Sequence, residues 1–281
     1  MYNQNIKSPV NIPVSKIHPF EGNPYKVLDN DEMNTLICSI QEQGILTPII
    51  IRPIENADEY EVISGHRRLH ATVKAGMKEV PAFINAVSRD EAAIMLVDSN
   101  LHREHILPSE KAFAYKLKLE AMKHQGISCG QVGHKSRDEI SDTDSGRQVQ
   151  RYIRLTYLIP ELLDLVDEEK IALTHAVALS YLTDEEQYAL LGAIEVEDRT
   201  PSLSQAVRFK KLSQTGNLSD DDIETIMQED KANQKPMFKE SMEKLQKVAR
   251  KVKDKDFDDF VLKACEHYYK YLQRQRNRDA R

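Results

Sequence analysis

Two short stretches of this chain place residue types where chemistry needs them. The first is Ser64-Gly65-His66-Arg67-Arg68, which reads as a strand giving way to a helix. A glycine at such a junction lets the backbone come close to an anion. The helix start offers N–H groups without intrahelical acceptors and the positive end of the helix dipole. Two adjacent arginines add bidentate donors for phosphate. The chemistry is phosphate binding, with a solvated turn as the plain alternative for so short a motif. No GxxxxGK[ST] occurs, so the corner is not a P-loop. A second polar cluster, Ser99-Asn100-Leu101-His102-Arg103-Glu104, follows a helix that begins after Ser88. Its Asn100 and Arg103 are placed to close over a bound nucleotide. Histidines pair at 66 and 70 and at 102 and 105, but each pair lies beside arginine and lacks a third ligand, so hydrogen-bonded imidazoles are expected rather than zinc.

The second stretch, residues 137–158, reads as helix, tight turn, helix. Arg137 to Ser141 is a short first helix, Asp142-Thr143-Asp144 has turn chemistry, and Ser145 caps the second helix. On that second helix Val149, Tyr152, Ile153 and Thr156 share one face. Arg147, Arg151 and Arg154 project together from the opposite one, with Gln148 and Gln150 beside them. A helix-turn-helix sends the N-terminal residues of its second helix to base edges in the major groove. Arginine pairs with guanine and glutamine with adenine, and arginine also neutralises phosphate. Read plainly, the same row is a solvated helix face. Acidic Asp138, Glu139, Asp142 and Asp144 would repel phosphate unless they face away.

The elements that must position these residues differ in kind along the chain. Val10 to Ile17 reads as extended and broken by Pro13; Asp31 to Gln43 as a helix with Met33, Leu36, Ile37 and Ile40 at helical spacing; and Ile45 to Ile51 as a β-branched, buried strand. Tyr60 to Ser64 is a second strand, His66 to Lys74 a helix, and Val80 to Val87 a third strand. From Ser88 onward the period is helical. Capping patterns appear at Ser88/Glu91, Ser145/Gln148, Thr183/Glu186 and Ser219/Asp222. Helices are expected from Glu110 to His124 and at 146–158, 161–168, 170–182, 184–195, 203–213 and 220–229. Breaks are expected near Leu107-Pro108 and near 229–235, giving units 1–107, 108–230 and 231–281. The fold class is α+β: a mixed α/β N-terminal domain, an all-α domain and a helical, basic C-terminal tail.

The whole chain has 281 residues and a net charge of −6, with 40% hydrophobic and 30% charged residues. That is a globular balance. Charge is sorted along it. Residues 111–159 carry 9 basic and 5 acidic side chains, residues 160–230 carry 5 and 17, and residues 231–281 carry 15 and 8. A polyanion partner is therefore expected only through local patches. No apolar run approaches the roughly 18 residues of a membrane span, and no signal peptide is read at the N-terminus. Cys38, Cys129 and Cys265 lie far apart, which fits a reducing cytoplasm better than a disulfide framework or zinc site.

Taken in order, GILTPIII (44–51), YEVISGHRRLHA (60–71), NLHREHILPSEKAFAY (100–115) and RQVQRYIRL (147–155) resemble the ParB family of partition proteins, over about residues 12–212. The resemblance implies a ParB/sulfiredoxin-like N-terminal domain that binds CTP with Mg2+, followed by a helix-turn-helix domain that reads a palindromic site on double-stranded DNA. It implies a homodimer that CTP closes into a clamp for plasmid, mobile-element or chromosome segregation, associated with the nucleoid or a plasmid. A ParA-type ATPase is the usual partner, although the first ten residues here hold one Lys and no Arg where the family tail is basic. Carried over position by position, Gly65, His66, Arg67 and Arg68 match GERR with His66 in place of Glu. Asn100 and Arg103 match ENxQR, with His102 in place of Gln and Ser99 in place of Glu. Thr47 stands where many members have Gln. The last two positions are tied to hydrolysis, so CTP binding is expected while CTPase turnover is left open, with no catalytic residue assigned. The DNA-binding set is Ser145, Arg147, Gln148, Gln150, Arg151 and Arg154. A ParB-like transcriptional regulator binding an operator is the alternative. Among enzymes of similar N-terminal fold, a sulfiredoxin needs a cysteine near 65–67, and a serine kinase needs a carboxylate base, for which Glu61 is the candidate.

Overall fold

In a computed structural model, which describes residues 8–103, 105–125, 141 and 144–229, the isoleucines at 49–51 lie at the centre of a five-stranded sheet. The strands are β1 (Val10–Pro13), β2 (Ile17–His18), β3 (Ile49–Pro53), β4 (Tyr60–Ser64) and β5 (Glu79–Ile84), in the order β1-β5-β3-β4-β2. β3 runs antiparallel to β4 and parallel to β5, while β1 is antiparallel to β5 and β2 parallel to β4. Alternation along β3 and β4 divides the apolar residues between two faces. Ile49, Ile51 and Val62 pack with Leu69 of helix α2 (His66–Lys74). Ile50 and Ile63 pack with Ala92, Leu96 and Val97 of α3 (Arg89–Asn100). Helix α1 (Asp31–Gln43) buries Met33 and Ile40 against Ala71 of α2.

The strand expected from Ile45 begins four residues later. Gly44 ends α1 at φ 72, and residues 45–48 cross the surface with Leu46 77% exposed. Side-chain guanidinium N–H groups of Arg68, not a neighbouring strand, take the carbonyls of Thr47 and Pro48. Hydrophobic content alone does not show where a backbone finds its partners.

Helix α4 (Pro108–His124) starts with proline at its first turn, a position where the missing N–H costs nothing. It is apolar on several sides because it packs on several neighbours. Ala114 and Ala121 meet α3; Tyr115 and Met122 meet Val149 and Ile153 of α5 (Gly146–Leu155); and Ala112 joins the cluster of α6 (Pro160–Asp167). Asp167 accepts from Ser109 N at 2.9 Å and Ser109 Oγ at 2.5 Å, and Glu110 accepts from Lys26 N at 2.9 Å. Helices α7 (Leu173–Leu179), α8 (Asp184–Glu197), α9 (Leu203–Gln214) and α10 (Asp220–Gln228) complete the helical part around Leu162, Leu179, Leu190 and Phe209. Capping boxes close at Ser88/Glu91 and Thr183/Glu186 as expected. Another forms at Ser202/Gln205, ahead of the helix expected from 203 but not among the expected capping patterns. The expected first helix at 137–141 and the tail at 231–281 lie outside the described residues, Ser141 excepted.

Candidate functional site

Gly65 sits between β4 and α2 at φ 105 and ψ 27. A Cβ there would lie 2.7 Å from Ile49 Cγ2 and 3.1 Å from Arg68 Nη2, so both the backbone angle and the space call for glycine. No side chain caps α2, so the first N–H groups of the helix have no side-chain acceptor at the Gly65 cap.

The two arginines divide the work. Arg67 Nη2 meets Glu32 Oε2 at 3.1 Å on the surface, an exposed pair that contributes little to stability. Arg68 is half-buried and donates to the carbonyls of Thr47 and Pro48, which fastens the loop leading into β3; burial pulls its pKa down. Of the two, Arg67 is held by a surface ion pair and Arg68 by backbone carbonyls. Thr47 is thus brought to the corner through its backbone, with its side chain exposed.

His66 accepts a hydrogen bond at Nε2 from Phe20 N at 3.3 Å. Burial first, then the positive charge of Arg103, push its pKa down to about 4, against the opposing pull of Glu61. It is a neutral imidazole that ties the 19–22 loop to the corner. Glu61 does the same from β4. Its Oε1 accepts from Glu21 N at 3.0 Å, and its Oε2 meets Arg52 Nε at 2.7 Å, both side chains buried. Glu61 is therefore committed to Arg52 and the loop, which removes the candidate base of the kinase reading.

Of the expected second cluster, Arg103 comes within electrostatic reach of His66. Asn100, at the end of α3, is buried, with Nδ2 donating to Leu96 O at 2.7 Å and Ser99 Oγ at 3.2 Å. Its carbonyl accepts from Arg103 N at 3.1 Å. The Arg103 guanidinium lies 5.5 Å from the centre of the Tyr25 ring, and its charge is felt at His66. Arg103 thus comes within electrostatic reach of His66 beside Gly65, over a Tyr25 ring that sequence reasoning missed, while the Asn100 amide is turned back into α3. Asp98 points elsewhere, into a 2.5 Å ion pair with Lys118. Among the described residues no group of three or more His, Cys, Asp or Glu side chains converges as a metal site.

The arginine helix is α5. Ser145 Oγ accepts from Gln148 N at 3.4 Å, the expected cap. Arg147 and Gln150 are exposed, and Arg151 is half-buried with Nη1 3.3 Å from Gln148 Oε1. Val149 and Ile153 are buried on the opposite face as expected. Arg154 differs from the other two arginines. Its Nε donates to Ser180 Oγ at 3.1 Å and its Nη2 to Ser180 O at 2.8 Å, and its guanidinium stacks on Tyr157 and Tyr181. Asp144, one of the acids ahead of this helix, does face away. Its Oδ2 accepts from Tyr115 OH at 2.5 Å and meets Lys111 Nζ at 2.7 Å. Tyr115 also stands edge-on to Tyr152 at 5.9 Å. Lys111 and Tyr115 are about 30 residues from Asp144, and no spacing rule in the sequence pairs them.

The family model for the ParB N-terminal domain matches residues 2–101. The chromosome-partitioning protein Spo0J of Thermus thermophilus is 32% identical over 202 residues, covering 72% of this chain and 70% of that protein. A nucleoid occlusion protein of Listeria monocytogenes is 32% identical over 184 residues, covering 65% of this chain and 61% of that one, so the chain spans less than two thirds of this relative's length. Among solved structures, the C-terminally truncated chromosome-partitioning protein ParB of Caulobacter crescentus, complexed with CTP-γ-S, shares 23% identity at a TM-score of 0.33, covering 67% of this chain and 99% of that one.

Proposed function

This chain belongs to the ParB family of partition proteins, and from that premise we propose that it is a DNA-binding partition protein gated by cytidine triphosphate. What supports the nucleotide reading is the uncapped α2 start at Gly65 with Arg67 beside it in a surface pair, and Arg103, from a segment about 35 residues on, within electrostatic reach of His66. A triphosphate placed there displaces Glu32 from Arg67 and takes α2 N–H groups, while Arg103 covers it from the α3 side. Arg68 keeps its carbonyls and holds the loop. Mg2+, which commonly bridges phosphate oxygens, enters with the nucleotide in this reading.

Turnover is slow in this reading. The family's Gln is Thr47 here, exposed and engaged only through its carbonyl, and the family's Glu is Ser99, whose hydroxyl donates to Leu96 O at 3.0 Å. DNA is read by α5, with Ser145, Arg147, Gln148, Gln150 and Arg151 at its open end. Two copies close on a palindromic duplex, nucleotide binding the closed pair more tightly than the open one; without such a difference it shifts nothing. A ParA-type ATPase is the partner this reading assigns. Among the described residues no helix is long and apolar enough to cross a membrane.

Isothermal titration calorimetry with CTP, ATP and GTP tests the gate. The expected result is heat from CTP alone, lost in Arg67→Ala and kept in Arg151→Ala, while Arg151→Ala loses duplex binding. Equal or absent binding of all three nucleotides overturns it. Genome-wide occupancy separates partition from operator binding: spreading around one site supports partition, and sharp promoter peaks support a regulator.

A further inference from the structure

A row of alternating cations and rings runs across the helical part of the molecule. Lys116 of α4 lies 6.0 Å from the Tyr157 ring, Arg154 lies 4.5 Å from Tyr157 and 3.9 Å from Tyr181, and Lys210 of α9 lies 3.6 Å from Tyr181. Tyr157 and Tyr181 are 57% and 37% exposed, so the row is on the surface. Among the described residues none of the three cations is in an ion pair with a carboxylate. Lys116 and Arg154 come from the basic stretch 111–159, whereas Lys210 comes from residues 160–230, which carry 17 acidic side chains against 5 basic ones. Three like charges are thus gathered around two rings with no carboxylate paired to them among the described residues. A polyanion lying on such a cluster relieves their mutual repulsion.

The middle of the row, Arg154, is on the helix that carries Arg147 and Arg151. Arg154 sits at the other end of α5, about 10 Å along the axis from Arg147. Two of its nitrogens are fixed on Ser180, and Nη1 has no hydrogen-bond partner among the described residues. A guanidinium held so firmly loses little freedom when an anion reaches its remaining edge.

We infer that Lys116, Arg154 and Lys210, spaced by Tyr157 and Tyr181, form a track for the phosphodiester backbone of double-stranded DNA, alongside the base-reading end of α5. This rests on the duplex-binding reading of α5 given above and adds to it. Arg154 holds phosphate and positions the helix, while base discrimination stays with Arg147, Gln148, Gln150 and Arg151. Lys116 and Lys210 lie outside the helix-turn-helix segment, so no motif points to them.

The test is fluorescence anisotropy of the full chain on two duplexes, one of random sequence and one enriched by selection from a random pool, across about 50 to 200 mM salt. The double variant Lys116→Ala/Lys210→Ala is expected to weaken both duplexes by the same factor and to flatten the log–log salt slope by about 1.8 for each copy bound, which is roughly a tenfold smaller loss of affinity per copy over that range. Lys116→Arg/Lys210→Arg is expected to retain the wild-type slope, and matching circular dichroism melts show that all variants fold. An unchanged slope in the alanine pair, with wild-type binding intact, overturns the track and leaves α5 reading untouched. So does a change in base preference without a change in slope, which places the lysines at base edges. A wild-type chain that binds neither duplex overturns both readings.

Discussion

Gly65 carries two constraints at once, a left-handed φ of 105 and a 2.7 Å approach to Ile49 that any Cβ would violate. Gly65→Ala is expected to destabilise the chain by about 1–3 kcal/mol, read as a lower urea midpoint at unchanged slope. The neighbouring arginines should separate. Arg67→Ala breaks an exposed pair, leaves stability within about 1 kcal/mol and removes nucleotide heat. Arg68→Ala frees the carbonyls of Thr47 and Pro48 and is expected to lower stability as well as binding. His66 gives a pH signature. Its folded pKa of about 4 lies below the ordinary 6.5, so between those values the unfolded chain binds a proton that the folded chain refuses. Stability therefore falls as pH drops through that window, by about 2–3 kcal/mol in all. His66→Gln keeps an acceptor for Phe20 N without a titrating ring, and urea melts between pH 7 and pH 4 should show a flatter dependence. The types and spacing at 65–68 were legible in the sequence. The division of labour between Arg67 and Arg68 was not, because it depends on a loop 20 residues upstream.

Helix α5 depends on α4 for its placement. Asp144 lies immediately before the Ser145 cap, and Tyr115 and Lys111 of α4 hold its carboxylate inward. Tyr115→Phe keeps the packing against Tyr152, Val149 and Ile153 and removes one donor to a partly buried carboxylate. The expected cost is about 1–2 kcal/mol of stability, with a larger relative loss in affinity for a selected duplex than for a random one. Equal losses on both duplexes would show that the tyrosine supports the fold and not the aim of the helix. The period and caps of α5 were readable because neighbours three and four residues apart set them. The ends of β3 and α7 were not. A strand end depends on which backbone it pairs with, and α7 stops at Leu179, where Ser180 becomes the seat of Arg154.

Across the molecule, the end of α3 and α5 connect through two packed seams. Asn100 ends α3, α3 packs on α4 through Ala114 and Ala121, and α4 packs on α5 through Tyr115 and Met122. Proline at 108 marks where α4 begins, and Ser109 with Asp167 ties that start to α6. If nucleotide and duplex are coupled along this path, linkage requires the coupling to be reciprocal. The factor by which CTP changes affinity for the selected duplex should equal the factor by which that duplex changes affinity for CTP, measured by anisotropy and by calorimetry on the same preparation. A coupling factor of one in both directions would separate the two sites.

Local rules settled much of this protein before any coordinates. Glycine's tolerance of positive φ, serine's cap before a helix and the 3.6-residue period of α5 each depend on residues close together in the chain, and the order of the four motifs is read along the chain itself. Tertiary structure decided what a linear reading has no means to see. It turned Asp144 inward, gave Arg68 to a loop and Arg154 to Ser180, set Tyr25 beneath Arg103, and drew Lys116 and Lys210 onto the rings of Tyr157 and Tyr181. A charged side chain takes its partner from whatever the fold brings within a few ångströms, and that distance bears no relation to separation in sequence.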